Sequence, residues 1–416
     1  MGVMSLRPNI NSCALSLGVE LNDDGSIDVD SLDVTQSEIK INYRLSYDDV
    51  DDMLMEGVGY KEEWQLGALM SAASKRRAYR IRNGSTEGMI PQPIPKSFVS
   101  TFDDDSEPDG IGIKVSVDPS HNQGLNRTCE MSSSGDMISS AVSDSNLLVT
   151  EMMILAGEAL GKWKLRLDSE PPSFYGRMEN TLTLPFRSQP RPEYWAREKE
   201  TKILQDLREH KHGYCHAWYA RRFLAPVGIG PEPKSHFGLG IDCYVQWTSP
   251  IRRFGDLQVH AAVKRYLRRR RIHDLLVARE DVPDGVRSVD LGCWVSVQSV
   301  IRGEAESALD EDIDYGWGKA HVFASKNLNR QSQQYWLYEY LHRQVQNGTL
   351  PTFEGIVLGC VDPERLLYAV YLPEIGYEHR FVSQKGYLDA GEVLLLKVES
   401  VNPRMSLMTL SLINIG

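Results

Sequence analysis

The 416-residue sequence has few cysteines, and none of them is paired with another in a recognisable spacing. The six are scattered as Cys13, Cys129, Cys215, Cys243, Cys293 and Cys360, with no C-x-x-C pair among them. Disulfide-stapled domains and zinc ribbons depend on paired spacings, so both classes are excluded. We expect reduced thiols and an intracellular protein.

Long apolar runs are also missing. No stretch approaches the roughly 18 residues that a membrane-spanning helix needs. The opening segment MGVMSLRPNINS lacks the hydrophobic region of a signal peptide and the Arg- and Ser-rich pattern of a transit peptide. We expect neither a membrane segment nor a targeting segment among these residues.

An overall excess of positive charge is absent, since the formal net charge is −11. The distribution is uneven, however. Residues 1–60 carry about twelve acids against three bases, and residues 191–271 carry about seventeen Lys and Arg against eight acids. Such a basic sector can bind a phosphodiester chain even in an acidic protein.

The most informative stretch runs from His236 to His260, HFGLGIDCYVQWTSPIRRFGDLQVH. A glycine-rich loop leads through aromatic and β-branched residues into Thr-Ser-Pro-Ile-Arg-Arg and then a helix. Thr248 or Ser249 can cap that helix. Free backbone amides and two adjacent guanidinium groups favour a bound phosphate there. The alternative is a capped helix whose arginines are merely solvated.

Periodicity predicts further elements on either side of this stretch. Residues 14–45 are typical of a hairpin turning at Asn22–Gly25, and Ser46 is expected to cap the helix that follows. The Gly-, Pro- and Asp-rich residues 83–109 predict a long surface excursion. Additional helices are predicted at 62–82, along SNLLVTEMMILAGEALGKWK, and near 195–210, 254–280, 287–309 and 315–345.

The last part of the chain changes character. About five short strands lie between residues 353 and 413, separated by Asp-Pro, Pro-Glu, Gly and Asn-Pro turns. This pattern is typical of a small closed β-barrel such as an OB fold. The predicted class is therefore α+β, with antiparallel strands packed on helices and followed by a barrel, and the boundary falls near residue 347.

Two clusters of potential metal ligands need an interpretation. The acids of DDVDD at residues 48–52 suit the first turn of a helix, where they complement its dipole. A metal site would require several of them to converge, which helical spacing does not favour. The run HKHGYCH at residues 210–216 matches no standard zinc spacing. No metal ligand is predicted among these 416 residues.

The central stretch resembles the signature of the RNase II/RNase R family, the RNB-domain 3′→5′ exoribonucleases. Three other stretches agree in the same order: ALSLGVELNDDGSI with INYRLSYDDV, then LLVTEMMILAGEAL, and finally the terminal strands, which resemble an S1 domain. The resemblance implies a partial RNB domain over residues 1–347 and an S1-like OB-fold RNA-binding domain over residues 348–416. Met-Met-Ile-Leu and Tyr335-Trp336 favour the bacterial/organellar subgroup.

The resemblance also implies roles for five residues. Arg252 matches the family's essential arginine, which stabilises charge on the scissile phosphate. Arg253 matches a basic position that steadies the RNA backbone. Tyr47 and Glu151 match the pair that contacts the 3′-terminal nucleotide and selects RNA through its ribose hydroxyl. Gln333 falls near a position where some relatives have a glutamate.

The family's hydrolysis uses Mg²⁺ held by a D-x5-D-x-D-D cluster that precedes the hairpin. That spacing does not occur in these 416 residues, so the carboxylate ligands are expected to be absent. One hypothesis is an RNase II-like enzyme that degrades single-stranded RNA 3′→5′ to nucleoside 5′-monophosphates and is inactive as these residues alone. A missing N-terminal segment or a complementing chain would then supply the metal site.

The other hypothesis, from a different class, is a catalytically inert RNA-binding protein or a complementing subunit. A structural core without an RNA role is a third reading. The subgroup implies a chloroplast or mitochondrion in a eukaryote and the cytoplasm in a bacterium.

Overall fold

The computed structural model describes residues 9–57, 63–85, 94–117, 143–169, 182–191, 202–203, 205–207, 213–222, 224–277 and 315–413. The predicted helix at 287–309 lies outside these residues, and most of the helix predicted at 195–210 does too. The chain forms two compact units. The first comprises Met1–Thr86, Ser143–Pro190 and Pro226–Val322, and the second Glu87–Val142, Arg191–Ala225 and Phe323–Gly416.

The elements are numbered here in chain order. The strands are β1 (Asn11–Leu21), β2 (Ile27–Lys40), β3 (Ser97–Asp103), β4 (Ile111–Val117), β5 (Phe186–Ser188), β6 (Gly228–Gly230), β7 (Thr352–Asp362), β8 (Leu367–Leu372), β9 (Tyr377–Val382), β10 (Val393–Asn402) and β11 (Leu407–Leu412). The helices are α1 (Tyr47–Glu56), α2 (Glu63–Arg82), α3 (Asp144–Ser169), α4 (Gly213–Ala220), α5 (Phe254–Val277) and α6 (Tyr315–Gln346). Short 3-10 turns lie at Phe237–Leu239 and Pro373–Ile375.

In the first unit, β1 and β2 form the predicted antiparallel hairpin. Its turn contains Gly25, whose backbone φ of +85° is rarely adopted by residues that carry a side chain. A Cβ added at Gly25 would lie 2.5 Å from the carbonyl oxygen of Lys75 in α2. Glycine therefore allows the hairpin turn to approach the helix, and the hairpin prediction is confirmed.

Helix α3 forms the centre of the first unit because it is apolar on nearly every side. It packs against β2, the extended residues 243–247 and α5. Trp163 of α3 meets Tyr266 of α5 edge-on, with ring centroids 5.5 Å apart. The buried core residues include Leu32, Val34, Leu155, Ala159, Leu160, Trp163, Leu167, Phe186, Val245, Val259 and Val263. This core fixes the end of the extended segment that leads to the two arginines.

The second unit contains the predicted barrel. Five antiparallel strands pair in the order β11-β10-β7-β8-β9, which gives a near-closed sheet. Alternate residues fill its interior, among them Val357, Tyr368, Val370, Leu396 and Val398. The α+β class with a C-terminal OB-like barrel is confirmed.

The second unit also contains a hairpin, whose first strand lies where the sequence predicted a surface excursion and whose second strand matches the strand predicted for IGIKVSVDP. Strand β3 pairs with β4 from Ser97 opposite Val117 to Asp103 opposite Ile111. The acids of the connecting turn hide the strand pattern in the sequence. Two of them, Glu107 and Asp109, are held by Arg343 of α6 at 3.1 and 2.7 Å. The prediction of an excursion over the whole of 83–109 is therefore wrong.

Candidate active site

An extended segment, Ile241–Trp247, leads directly into the Thr-Ser-Pro-Ile-Arg-Arg run. Its odd-numbered residues are buried, whereas Tyr244 and Gln246 lie partly exposed between them. Val245 bridges Phe186 of β5, and its backbone amide donates to the carbonyl oxygen of Gly157 in α3 at 3.1 Å. The segment is thus held on two sides before the arginine-bearing turn begins.

Two glycines of α3 permit this close contact. A Cβ on Gly157 would lie 2.3 Å from the ring of Tyr244, and one on Gly161 would lie 2.9 Å from the sulfur of Cys243. The indole nitrogen of Trp247 also donates to the carbonyl oxygen of Ala156 at 3.0 Å. The helix therefore serves as a rigid support for the segment.

Arg253 is held within the turn. Its Nε donates to the Oδ2 of Asp256 at 2.9 Å, and its Nη2 donates to the hydroxyl of Thr248 at 3.1 Å. Asp256 has a side chain that is 2% exposed, and its carboxylate also accepts the backbone amide of Ser249 at 2.8 Å. Helix α5 begins only at Phe254, so the predicted capping of this helix by Thr248 or Ser249 is wrong, and Asp256 of its first turn instead accepts the amide of Ser249.

Arg252 differs from its neighbour. It is exposed, and within the described part of the chain its guanidinium contacts the Ser249 hydroxyl alone, at 3.5 Å. Among the described residues, no carboxylate forms an ion pair with Arg252. An exposed arginine on a fixed turn can offer its hydrogen-bond donors to an oxyanion.

Glu151 is buried and already paired. Its side chain is 1% exposed, and its two oxygens accept the Nε and Nη2 of Arg80 in α2, the first at 2.9 Å. Arg80 also donates to the carbonyl oxygen of Leu239 at 2.9 Å. Any contact between RNA and Glu151 would therefore have to compete with Arg80.

A second buried pair lies along the same two helices. Arg76 of α2 pairs with Glu158 of α3, and their side chains are 0% and 1% exposed. Lys162 adds a second cation, with its Nζ 2.9 Å from the other Glu158 oxygen. Arg76 also donates to the carbonyl oxygen of Gly25 at 2.6 Å, which ties the hairpin turn to the helices.

Tyr47 opens helix α1 and is 49% exposed. The helix is capped by Ser46, whose hydroxyl accepts the amide of Asp49 at 3.1 Å while Asp49 accepts the amide of Ser46 at 2.7 Å. These bonds lower the pKa of Asp49. Asp51 accepts the amide of Ser145 at 2.8 Å, which anchors α1 to the start of α3.

Gln333 lies in the second unit. Its Oε1 accepts the backbone amide of Val99 at 2.6 Å, and its Nε2 donates to the Val99 carbonyl at 3.1 Å. Both polar groups of Gln333 thus hold strand β3. The other four residues implied by the resemblance lie in the first unit.

Burial shapes the titration of the groups around the segment. It lowers the pKa of His236 to about 4, and the charge of Arg187 acts in the same direction. It raises the pKa of the Cys243 thiol to about 12, with the carboxylate of Glu158 adding to the effect. Burial likewise raises the pKa of Tyr244. At neutral pH, His236 is therefore an uncharged ring and Cys243 an unreactive thiol.

The carboxylates described in this region do not fit a Mg²⁺ centre. Glu151, Glu158 and Asp256 each face an arginine, and no group of three potential ligands converges among the residues with described positions. Mg²⁺ prefers several unpaired oxygen ligands. Of the run at residues 210–216, residues 210–212 lie outside the described residues, and the other four begin helix α4. Within the described part, no helix combines the length and apolarity needed to cross a bilayer.

Sequence reasoning missed three arginines. Arg76 and Arg80 are four residues apart and so share a face of α2, and this spacing was the signal available in the sequence. The structure shows that both are buried opposite glutamates of α3. Arg187 stands alone between Phe186 and Ser188 and gave no signal. The partners of Arg76 and Arg80 come from residues distant in the chain.

Comparison with known families identifies the chain. The RNB domain model matches residues 1–269, more than half of the 416-residue sequence. The chain therefore belongs to the RNase II/RNB family.

Two curated relatives agree with this assignment. An uncharacterized ribonuclease of Synechocystis sp. is 29% identical over 404 residues, which cover 97% of this chain and 46% of the relative. The chloroplastic/mitochondrial ribonuclease II of Arabidopsis thaliana is 25% identical over 413 residues, which cover 96% of this chain and 39% of the relative. The chain thus spans less than half the length of these two relatives.

Solved structures share the fold. The RNase R of Mycoplasma genitalium, in complex with ribose-methylated single-stranded RNA, matches with a TM-score of 0.60 and 15% identity over 99% of this chain and 59% of that chain. The Dss1 exoribonuclease of Candida glabrata matches with a TM-score of 0.61 and 19% identity over 98% of this chain and 44% of that chain.

Proposed function

We propose that these residues form the RNA-binding and phosphate-stabilising part of an RNase II-type exoribonuclease. The enzyme hydrolyses single-stranded RNA from its 3′ end and releases nucleoside 5′-monophosphates. The observation that carries the proposal is Arg252, which is exposed on a turn fixed by Arg253 and Asp256 and has no carboxylate partner among the described residues. A preorganised cation of this kind stabilises charge that develops on a phosphoryl group.

The other residues act around this arginine. Arg253 keeps the turn in shape and adds positive charge beside the RNA backbone. Tyr47 supplies an exposed aromatic ring on which a base or ribose can pack. Glu151 and Gln333 are proposed RNA contacts through the family resemblance, although each already has a partner in the structure.

Ribonucleases of this family are generally metal dependent. We propose Mg²⁺ as the ion, held by carboxylates that lie outside these 416 residues, since the D-x5-D-x-D-D spacing does not occur within them. When bound, the metal would activate water and hold the scissile phosphate. These residues alone would then bind RNA without hydrolysing it. The named relatives suggest an organelle in a eukaryote and the cytoplasm in a bacterium.

A second candidate is an inert RNA-binding protein or complementing subunit. It is favoured by the pairing of the buried carboxylates with arginines, which leaves no ion site among the described residues. Genomic DNA read upstream of Met1 in the same frame would separate the two. An Asp cluster with the family spacing supports the enzyme, and a nearby stop codon supports the second candidate.

The biochemical test uses the purified chain and an end-labelled oligoribonucleotide with Mg²⁺. We expect a binding isotherm and no shortening of the labelled RNA. Release of labelled mononucleotide would contradict the proposed lack of a metal site. Failure to bind RNA would contradict the proposed function.

Substitution of Arg252 tests its assigned role in a form of the protein that hydrolyses RNA. Arg252→Ala should lower kcat by a factor of about 100 or more, because one preorganised electrostatic contact in the transition state is lost. RNA affinity should change by less than about tenfold, since a single exposed phosphate contact is removed. The control is Arg166→Ala, near the C-terminal end of α3, which removes an arginine that has no assigned role in catalysis. Near-normal turnover by Arg252→Ala would remove it from the catalytic role.

A further inference from the structure

Arg187 is a half-buried residue of β5, the strand that supports the extended segment. Its backbone amide donates to the carbonyl oxygen of Tyr244 at 2.8 Å, one residue from the bridge between Phe186 and Val245. Phe186 and Val245 are 2% and 0% exposed and point into the core. Because side chains alternate along a strand, Arg187 and Tyr244 lie on the opposite face.

This face carries more positive than negative charge. Arg187 interacts electrostatically with Tyr244, Asp256 and Arg253. The carboxylate of Asp256 is already engaged by Arg253 and by the amide of Ser249. No carboxylate among the described residues forms an ion pair with Arg187. A half-buried guanidinium without a counter-ion is costly unless a ligand supplies the negative charge.

His236 provides an independent observation on the same face. Its side chain is buried, with 8% of the residue exposed, and its Nδ1 has no hydrogen-bond partner among the described residues. The ring meets Tyr244 edge-on at 6.0 Å, and it lies within electrostatic range of Arg187. The Oε1 of Gln246 is likewise buried without a partner. Buried polar atoms are nearly always hydrogen-bonded, so the unpaired Nδ1 of His236 beside Tyr244 points to a ligand.

We propose that Arg187 binds a second phosphodiester of single-stranded RNA, next to the phosphate assigned to Arg252, with His236 lining the same subsite. This inference rests on the proposed function. The planar fork of a guanidinium matches two phosphate oxygens, and the support of β5 fixes where that fork lies. In this arrangement one phosphate is bound by Arg187, beside Tyr244, and the neighbouring phosphate is bound by Arg252.

Salt dependence of binding tests this role. The affinity of the purified chain for a fluorescein-labelled oligouridylate is measured by anisotropy over a series of NaCl concentrations. Arg187→Gln should raise Kd about tenfold and reduce the slope of log Kd against log salt by about 0.7, the value for one phosphate contact on a single strand. Arg187→Lys should keep the slope and raise Kd about threefold, because charge remains but the fork is lost.

Arg166→Gln is the matched control. Arg166 is also half-buried in the first unit, but its Nη1 and Nη2 donate to the carbonyl oxygens of Val29, Asp30 and Leu32. We expect Arg166→Gln to lower the melting temperature while leaving the salt slope at the wild-type value. A structural role for Arg187 would produce that same result.

The outcomes separate the two proposals. Wild-type chain that fails to bind RNA overturns the proposed function and the second subsite with it. Wild-type binding with an unchanged slope and Kd for Arg187→Gln overturns the subsite alone. If Arg187→Gln does not melt cooperatively, Arg187→Lys decides: a raised Kd at an unchanged melting temperature supports the subsite, and a wild-type Kd overturns it.

Discussion

Arg252 and Arg253 are adjacent in sequence but have different surroundings. Arg253 is bound by the buried carboxylate of Asp256 and the hydroxyl of Thr248, whereas Arg252 contacts, among the residues with described positions, a single hydroxyl at 3.5 Å. Since a buried carboxylate needs its partners, Arg253 contributes to the stability of the turn. Arg252 does not stabilise the turn in this way, so its guanidinium is available to a ligand.

Replacing each arginine by alanine should reveal this difference. Arg253→Ala leaves Asp256 with only a backbone amide, so we expect a loss of about 1–3 kcal/mol in the free energy of unfolding. Arg252→Ala should change it by less than about 0.5 kcal/mol, as for other exposed side chains. Chemical denaturation of both variants measures the difference. Equal losses would contradict the assignment of separate roles.

Glu151 offers a second prediction at this scale. Glu151→Ala leaves the buried charge of Arg80 without a counter-ion, which should cost about 3–5 kcal/mol of unfolding free energy. The control is Glu232→Ala, because Glu232 pairs with Lys234 where both side chains are mostly exposed. That exposed pair should contribute less than about 1 kcal/mol. Similar small effects in both variants would show that Glu151 is not held by Arg80 in solution.

At the scale of elements, helix α3 carries the extended segment through its glycines. Gly157→Ala would place a Cβ 2.3 Å from the ring of Tyr244 and 2.8 Å from the carbonyl oxygen of Val245. We expect a loss of about 1–3 kcal/mol from this overpacking. Gly67→Ala in α2 is the matched control, since nothing lies within 4 Å of its Cβ position. It should stabilise the protein by about 0.5–1 kcal/mol, and thermal melting distinguishes the two signs.

Elements with strong local signals could be predicted from the sequence. The barrel strands alternate and are bounded by turn residues, and Ser46 with Asp49 forms the cap that the pattern indicated. Strand β3 was missed because acids at its turn are neutralised by Arg343, a residue far along the chain. The partner of Glu151, Arg80, was inaccessible for the same reason, because a tertiary contact decides it.

The family resemblance predicts which residues have a role, but it does not predict which of their side chains are available to a ligand. The resemblance singled out Arg252, and the structure leaves it exposed and unpaired with any carboxylate of the described residues. It also singled out Glu151 and Gln333, whose polar atoms are bound to Arg80 and to Val99. A motif position reports a residue type, whereas availability depends on neighbours that the motif does not contain.

On the scale of the whole molecule, each unit contains a histidine that burial keeps uncharged. Burial lowers the pKa of His236 in the first unit and of His379 in the second to about 4. The unfolded chain takes up these protons near pH 6.5, and the folded chain does so only near pH 4. Protonation therefore favours unfolding in that window, and stability falls as the pH drops from about 6.5 to about 4.

Acid melting curves check this sensitivity. His379→Gln should flatten the decline in melting temperature between about pH 6.5 and about pH 4, because the group that takes up a proton only on unfolding is gone. The wild-type chain should lose up to about 3 kcal/mol per histidine across this range. Parallel curves for the wild type and the variant would show that His379 titrates normally in the folded chain.

The two buried ion pairs between α2 and α3 restrict the register in which these helices can pack. Arg76 with Glu158 and Arg80 with Glu151 meet only when the antiparallel helices lie in one register. Sliding one helix by a turn, about 5.4 Å, would leave the charges of Arg76, Arg80 and Glu151 inside the protein without these ion-pair partners, while Glu158 would keep only Lys162 of its own helix. The apolar surface alone would tolerate such a slip, but the charges would not. These ion pairs therefore destabilise misaligned packings of the two helices more than they stabilise the native one.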